Sequence, residues 1–153
     1  MHGLAMIVRT IPWMTIAFTL LAGCSLRSSP KQEVEAMRLD ACRGDTRSYF
    51  GRVDRRTLTG NLTRRMTSSA RRRNGSAAAN LPPQRVEQAA REEVRRVLTE
   101  WEDDISKGRR GHLCRMEVDG TTDRYVIVRH PNGKTGRWFF TDEDGELQLT
   151  DVQ

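Results

Sequence analysis

The residues most capable of covalent chemistry are the three cysteines, Cys24, Cys42 and Cys114. Cys24 directly follows the largely apolar run 11–23, which has Arg9 before it. A positive start, an apolar run and a small-residue cleavage site, in that order, are the three parts of a secretory signal peptide. The sequence therefore predicts a signal peptide over residues 1–23. An uncleaved membrane anchor is the alternative, although the run is short for the roughly 20 residues of a spanning helix.

Cys24 lies in a pattern more specific than a general cleavage site. The segment Leu21-Ala22-Gly23-Cys24 resembles the lipobox of bacterial lipoproteins. The resemblance covers residues 1–24, and it implies that Cys24 receives the lipid, palmitate included, and becomes the first residue of the mature chain. Ser25 in place of an aspartate is similar to the outer-membrane sorting signal. The resemblance thus implies a lipid-anchored protein on the periplasmic face of the cell outer membrane.

Cys42 and Cys114 remain as a pair once Cys24 is assigned to lipid. In an oxidising compartment such a pair predicts a disulfide bond. The bridge would close a loop of about 70 residues, which the chain-entropy model values at roughly 4 kcal/mol of unfolding free energy. Two separate buried thiols, or metal or redox chemistry, are the alternatives.

Other motifs for chemistry are absent or incomplete in the sequence. There is no Gly-x-Ser-x-Gly and no His-Glu-x-x-His, so neither a hydrolase nucleophile nor a zinc-protease site is predicted. Gly133-Lys134-Thr135 lacks the first glycine of a phosphate loop, because Val128 stands in its place. The acidic stretch 142–146 fails the spacing of a twelve-residue calcium loop and is interpreted as an exposed turn.

A metal site is the remaining possibility for the polar residues near the C-terminal half. His112, Cys114 and His130 could meet on neighbouring strands. Cys42 competes for the Cys114 thiol, and no carboxylate at a suitable spacing completes the set. We therefore expect no metal, no cofactor and no catalytic residues.

The formal net charge of +6 is concentrated in one stretch of the chain. Eight arginines lie from Arg52 to Arg73, and Asp54 is the one acidic residue among them. A basic balance often indicates nucleic acid, but an export signal argues against that partner. Lipid head groups or another anionic envelope polymer are the expected partners, and a solvated surface is the alternative. The predicted anionic-surface residues are Arg55, Arg56, Arg64, Arg65, Arg71, Arg72 and Arg73.

The N-terminal half of the mature chain is predicted to be helical. Residues 24–32 form a polar tether, and a single α+β domain follows over residues 33–153. A first helix spans Gln32–Arg43, because Val34, Met37 and Ala41 share one face. Asp45 caps a short second turn of helix.

Two longer helices follow, separated by a loop. Asp54 begins a helix with an apolar stripe formed by Leu58, Leu62 and Met66. Serine, glycine and paired prolines predict a mobile Arg-rich loop at residues 67–82. The clearest helix spans Gln84–Ser106, where an apolar stripe recurs at helical spacing.

From His112 onward the period of the apolar residues changes from 3.6 to 2. This pattern predicts strands separated by turns at 119–122, at Pro131–Lys134 and at 142–146. The fold class is therefore α+β: three helices, then a curved antiparallel meander of three to four strands, with the long helix across one face. The predicted strands are 112–118, Arg124–His130, Thr135–Thr141 and Leu147–Thr150.

A second resemblance extends over most of residues 33–153. Ala41-x-x-Gly44-Asp45, Phe50 and Val53-Asp54, with Gly136-Arg137-Trp138 and Asp144-Gly145 near the end, are similar to segments of the nuclear transport factor 2-like, or cystatin-like cone, superfamily. The resemblance implies a cone-shaped fold whose interior can be a ligand pocket or an enzyme site. The loop 67–81 is longer than that pattern expects.

The aromatic residues and the fold together bear on function. Trp101, Tyr125 and the run Trp138-Phe139-Phe140 could line a pocket, or form the core between helix and sheet. We expect a non-catalytic, lipid-anchored envelope protein that displays a small periplasmic binding domain. The alternative is a small-ligand carrier or enzyme that uses the interior of a cone-shaped fold. A deep pocket containing Asp, His or Tyr would favour the alternative, and a filled interior would favour the binding domain.

Overall fold

The computed structural model describes residues 28–79 and 82–153, with the backbone alone for residues 73–79. The signal peptide, the lipobox and Cys24 lie outside the described residues. Over the described residues the fold is α+β, as predicted, with four helices in place of three and an open four-stranded antiparallel sheet. The elements are α1 Pro30–Arg43, α2 Thr46–Gly51, α3 Arg55–Ala79, α4 Pro83–Ser106, 3₁₀ turns at Gly108–Arg110 and Leu113–Arg115, then β1 Glu117–Thr121, β2 Val126–Arg129, β3 Thr135–Glu143 and β4 Glu146–Val152.

Helix α1 begins earlier than the sequence predicted. The hydroxyl oxygen of Ser29 accepts the backbone N–H of Gln32 at 3.3 Å, and the Gln32 side chain accepts the backbone N–H of Ser29 at 2.7 Å. This capping box, with Pro30 at the first helical position, draws residues 30–32 into the helix. The predicted tether 24–32 is therefore too long at its C-terminal end. The predicted end of the helix is confirmed, because Gly44 adopts the left-handed conformation at φ 74°.

The predicted caps of the next two helices are confirmed. The Asp45 carboxylate accepts the backbone N–H of Ser48 at 2.9 Å and caps α2. The Asp54 carboxylate accepts the backbone N–H of Thr57 at 3.0 Å and caps α3. Both contacts satisfy N–H groups that have no partner within the first turn of a helix.

The predicted mobile loop at residues 67–82 is wrong over most of its length. Helix α3 continues unbroken to Ala79. Arginine and alanine have high helix propensity, and no proline occurs between Arg55 and Ala79. Helix α4 packs alongside α3 and buries Val86 and Ala90, which adds tertiary support that local composition does not reveal.

The predicted first strand is wrong at its start. Residues 108–115 form two 3₁₀ turns, and β1 begins only at Glu117. The Asp104 carboxylate, at the end of α4, accepts the backbone N–H groups of His112 and Leu113 at 2.9 and 2.8 Å. These bonds hold the chain in a turn, although the alternation of apolar residues resembles that of a strand.

The predicted turn at 119–122 is displaced toward the C-terminus. Strand β1 continues to Thr121, with an irregular register between Val118 and Gly120. The chain reverses over residues 122–125, where the Thr122 N–H donates to the Tyr125 carbonyl at 2.9 Å.

The remaining strands are present with shifted bounds: β2 is shorter than predicted, and β3 and β4 extend into the predicted turn at 142–146. The β2–β3 hairpin turns at Pro131–Lys134, with Gly133 at φ 77° and a bond of 2.8 Å from the His130 N–H to the Lys134 carbonyl. The β3–β4 turn contains Asp144 and Gly145, both at positive φ.

The core lies between the sheet and the helices. Helix α1 packs on β1 and β2, and α3 packs on β4. Helix α4 packs on α3 and α1, and reaches the sheet through Trp101, whose ring stacks on Trp138 with centroids 6.1 Å apart. Helix α4, which the sequence predicted to cross one face of the sheet, thus shares that face with α1 and α3. Fully buried side chains at this interface include Val34, Met37, Tyr49, Leu58, Val126, Val128, Trp138 and Leu149.

The predicted disulfide bond between Cys42 and Cys114 is present. It joins the last turn of α1 to the second 3₁₀ turn, with the two Cα atoms 4.5 Å apart. Separately, across residues 28–79 and 82–153, no helix combines the length and apolar character needed to cross a bilayer.

Candidate anionic-surface binding site

Helix α3 carries all seven arginines that the sequence singled out, and the structure divides them into two groups. Arg55 forms an ion pair with Glu102 of α4 at 2.7 Å, and its guanidinium lies 4.0 Å from the centroid of the Phe50 ring. Arg65 pairs with Asp151 of β4. Because carboxylates already neutralise these two arginines, they join α3 to its neighbours and contribute little free positive charge.

The second group faces solvent. Arg56, Arg64, Arg71 and Arg72 are exposed, and none of them has an acidic partner within ion-pair distance among the described side chains. Arg64 donates to the Asn61 side-chain oxygen at 2.6 Å. We call these four residues the α3 arginine surface. The side chain of the seventh residue, Arg73, lies outside the described part.

The spacing along α3 gives the arginine surface its shape. Arg64 and Arg71 are seven residues apart, which places them on the same side of the helix about 10 Å apart. No Asp or Glu occurs between Arg55 and Ala79, so the charges of this surface are not balanced within the helix. The arrangement suits a partner with repeated negative charges.

Arg52 belongs to the same run of arginines in the sequence, but it pairs with buried carboxylates instead of facing solvent. Its guanidinium binds Glu33 at 2.7 Å and Asp40 at 3.1 Å, and both carboxylates are buried. A charge inside the protein requires such pairing, because burial without a partner is costly. Arg52 therefore stabilises the junction of α1 and α2.

Two polar depressions adjoin these residues. The first, of about 330 Å³, lies where α1 begins and is lined by Ser28, Glu33, Arg52 and the β3–β4 turn. The second, of about 290 Å³, lies between α3 and β4. We call the second the α3–β4 groove; its lining residues are Asn61, Arg64, Arg65, Ser68, Asp151 and Gln153.

The possible metal site at His112, Cys114 and His130 is not supported. Cys114 is held in the disulfide, and no three His, Cys, Asp or Glu side chains are grouped as metal ligands in the described part of the chain. Burial lowers the pKa of His130, and the nearby His112 lowers it further by charge repulsion.

The aromatic residues divide between the two faces of the sheet. Trp101 and Trp138 stack in the core, and Phe140 packs against the same core. Tyr125 and Phe139 lie on the opposite face, with ring centroids 5.3 Å apart. The prediction that all five aromatic residues share one pocket or core is therefore wrong for Tyr125 and Phe139, because the strict alternation of a strand places Phe139 opposite to Trp138.

Comparison of the chain with protein-family models, curated proteins and solved structures finds no match. Both resemblances noted in the sequence therefore stay predictions.

Proposed function

We propose that this chain is a lipid-anchored cell-envelope protein whose α+β domain binds an anionic surface through α3 and catalyses no reaction of its own. The observation that carries the proposal is the α3 arginine surface, four exposed cations on a helix without a single acidic residue. The lipobox-like segment ending at Cys24 supplies the anchor, and a disulfide suits an exported protein.

The position of α1 brings the domain close to the anchor. Ser29 already caps the helix, so only residues 25–28 separate that cap from Cys24. A stretch of this length spans at most about 18 Å. Near an anionic membrane, each arginine adds on the order of 1 kcal/mol of attraction, and salt screens it within about 8 Å. The short linker would keep the domain beside the membrane, where α3 can turn its arginines toward lipid head groups.

The alternative of a carrier or enzyme with an internal site has less support. Trp138, Met37 and Tyr49 occupy the interior and are fully buried. Burial, with the charge of Asp104, raises the pKa of Tyr49 and keeps its hydroxyl neutral and out of reach of a substrate. A filled interior favours a domain that binds at its surface.

Vesicle sedimentation tests the binding. The chain from Ser25 onward should bind anionic vesicles at low salt and dissociate at high salt. Replacement of the α3 arginine surface by glutamine should abolish binding. A matched control replaces Arg85, Arg91, Arg95 and Arg96 of the acid-rich helix α4, which removes the same net charge elsewhere and should leave binding largely intact. Equal binding by both variants would refute the assignment to α3.

Metabolic labelling tests the anchor. A palmitate analogue should label the full-length protein, and Cys24→Ser should abolish the label. The proposal would be contradicted if the Cys24→Ser protein still took up the label and was still found in the membrane fraction.

A further inference from the structure

The sheet presents a second surface on the side away from the core. Val126, Val128 and Trp138 point inward and are fully buried. Alternation along the strands sends Tyr125, Ile127, Arg137 and Phe139 outward, where Arg137 is exposed and the other three are half-exposed. Large half-exposed aromatic residues side by side are a feature that core packing does not require.

The outward residues form a compact platform. Tyr125, directly before β2, and Phe139 of β3 have ring centroids 5.3 Å apart and planes inclined by 51°. The Arg137 guanidinium lies 5.1 Å from the centroid of the Tyr125 ring. Aromatic faces beside a fixed cation can stack a flat or ring-shaped group and bind an anion next to it.

Two charged pairs near the platform are already neutralised. Arg129 is paired with Asp119, and Asp151, opposite Phe139 in the register, is paired with Arg65. Arg137 has no carboxylate within ion-pair distance among the described residues. The platform therefore offers one uncompensated positive charge, complementary to a carboxylate.

The platform is continuous with the α3–β4 groove. Arg137 and Gln153 exchange two backbone hydrogen bonds of 2.7 and 2.8 Å, and Gln153 also lines the groove beside Asn61 and Arg64. Neighbouring strands are about 4.8 Å apart. The path from Tyr125 across β3 to β4 therefore covers about 10 Å before it reaches the groove, which suits a chain-like ligand of several units.

We propose that this path binds an anionic glycan, a polymer of sugar rings that carries carboxylates, as bacterial cell walls do. Sugar rings stack on Tyr125 and Phe139, one carboxylate pairs with Arg137, and a later one reaches Arg64 in the groove. A single-stranded nucleic acid also combines rings and charge, but a disulfide-bonded domain suits an oxidising compartment outside the cytosol. The proposal relies on the exported location in the proposed function, and adds a surface on the sheet.

Co-sedimentation with purified peptidoglycan sacculi, using the full-length protein in mild detergent, tests the proposal. The protein should sediment with sacculi, and soluble oligogalacturonate, a carboxylated glycan, should compete. An uncharged chitin oligosaccharide should compete at least about tenfold less well, because it lacks the carboxylates. Failure to sediment with sacculi, or competition by a dT20 oligonucleotide alone, would overturn the proposal.

Variants separate the platform from general charge effects. Tyr125→Ala and Arg137→Gln should each weaken binding to sacculi about tenfold, whereas Tyr125→Phe keeps the ring and should bind normally. Arg129→Gln is the matched control, because it removes a cation from the same face that Asp119 already neutralises. If Arg129→Gln weakens binding as much as Arg137→Gln, the platform is not the site. Thermal unfolding identifies any variant that fails to fold, and Arg137→Gln remains informative if Tyr125→Ala does so.

The two proposals fail independently. Arg71→Gln with Arg72→Gln should reduce binding to anionic vesicles and leave binding to sacculi unchanged. Tyr125→Ala should do the reverse. Loss of both activities in both variants would contradict the separation of the two surfaces.

Discussion

Cys42 and Cys114 stand 72 residues apart in the sequence, and their disulfide joins the end of α1 to the turn just ahead of the sheet. The closed loop contains α2, α3 and α4. One covalent bond therefore fixes α1 beside the start of the sheet and restricts the unfolded state of the segment that contains α2, α3 and α4.

Removal of this bond should lower stability substantially. The Cys42→Ala, Cys114→Ala double variant should lose about 2–4 kcal/mol of unfolding free energy, measured by urea denaturation. Wild type under reducing conditions should show a similar loss and serves as the control. Equal urea midpoints for oxidised and reduced wild type would contradict the prediction.

Gly111 should not tolerate a side chain. A Cβ atom there would lie 2.3 Å from the Asp104 carbonyl oxygen and 3.0 Å from its carboxylate, so Gly111→Ala must displace the cap of the 3₁₀ turn. We expect a loss of about 2 kcal/mol or more in urea denaturation. Gly60→Ala is the matched control, because nothing lies within 4 Å of its added Cβ and a helix gains about 0.5–1 kcal/mol from alanine. Similar effects of the two changes would be inconsistent with a steric cause.

Arg52 should be important for stability although it is charged. Arg52→Met leaves the buried carboxylates of Glu33 and Asp40 without their cation. The expected loss is about 2–3 kcal/mol, less than for a fully buried pair because Arg52 is partly exposed. Arg38→Met is the control, because it removes the more exposed ion pair between Arg38 and Glu35, both on α1. It should change stability by less than about 1 kcal/mol. The prediction fails if the two variants unfold at the same urea concentration.

His130 should make the domain less stable in mild acid. Its pKa is lowered in the folded state, by burial and by His112, so the unfolded chain takes up a proton first as the pH falls. Stability should therefore decline as the pH drops below about 6.5, and His130→Gln should flatten that decline between pH 7 and 5. NMR titration of the His130 ring gives the pKa directly. If the pKa of His130 is instead above that of a free histidine, His130 stabilises the folded domain in acid and the prediction is wrong.

The sequence predicts those elements best whose determinants are local. Helix α4 was placed within one residue of its observed start, because its apolar stripe and the prolines before it lie within the element. The hairpin at Pro131–Lys134 follows from turn residues in the same way. The local pattern misses the helix at residues 67–79 because that helix depends on packing against α4. It misses the turn at residues 112–116 because that conformation depends on the Asp104 carboxylate, which lies outside the segment.

The candidate site shows the same limit. The sequence identifies which arginines are present, but not which are already neutralised. The partners of Arg55 and Arg65 lie 47 and 86 residues away, and no local pattern predicts such pairings. The platform at Tyr125, Arg137 and Phe139 likewise requires the register between strands.

The Cys42–Cys114 bond also determines how the domain responds to tension. A pull applied between Ser28 and β4 passes along α1, through the two sulfur atoms, and into the sheet. Residues 43–113, which include the arginine-bearing helix, lie outside that path. A protein held at one end by a membrane and at the other by a wall polymer could thus be stretched without unfolding α2, α3 and α4, although α1 carries the load. Reduction of the disulfide would release the closed loop of about 70 residues, so that force could unfold and extend that segment as well.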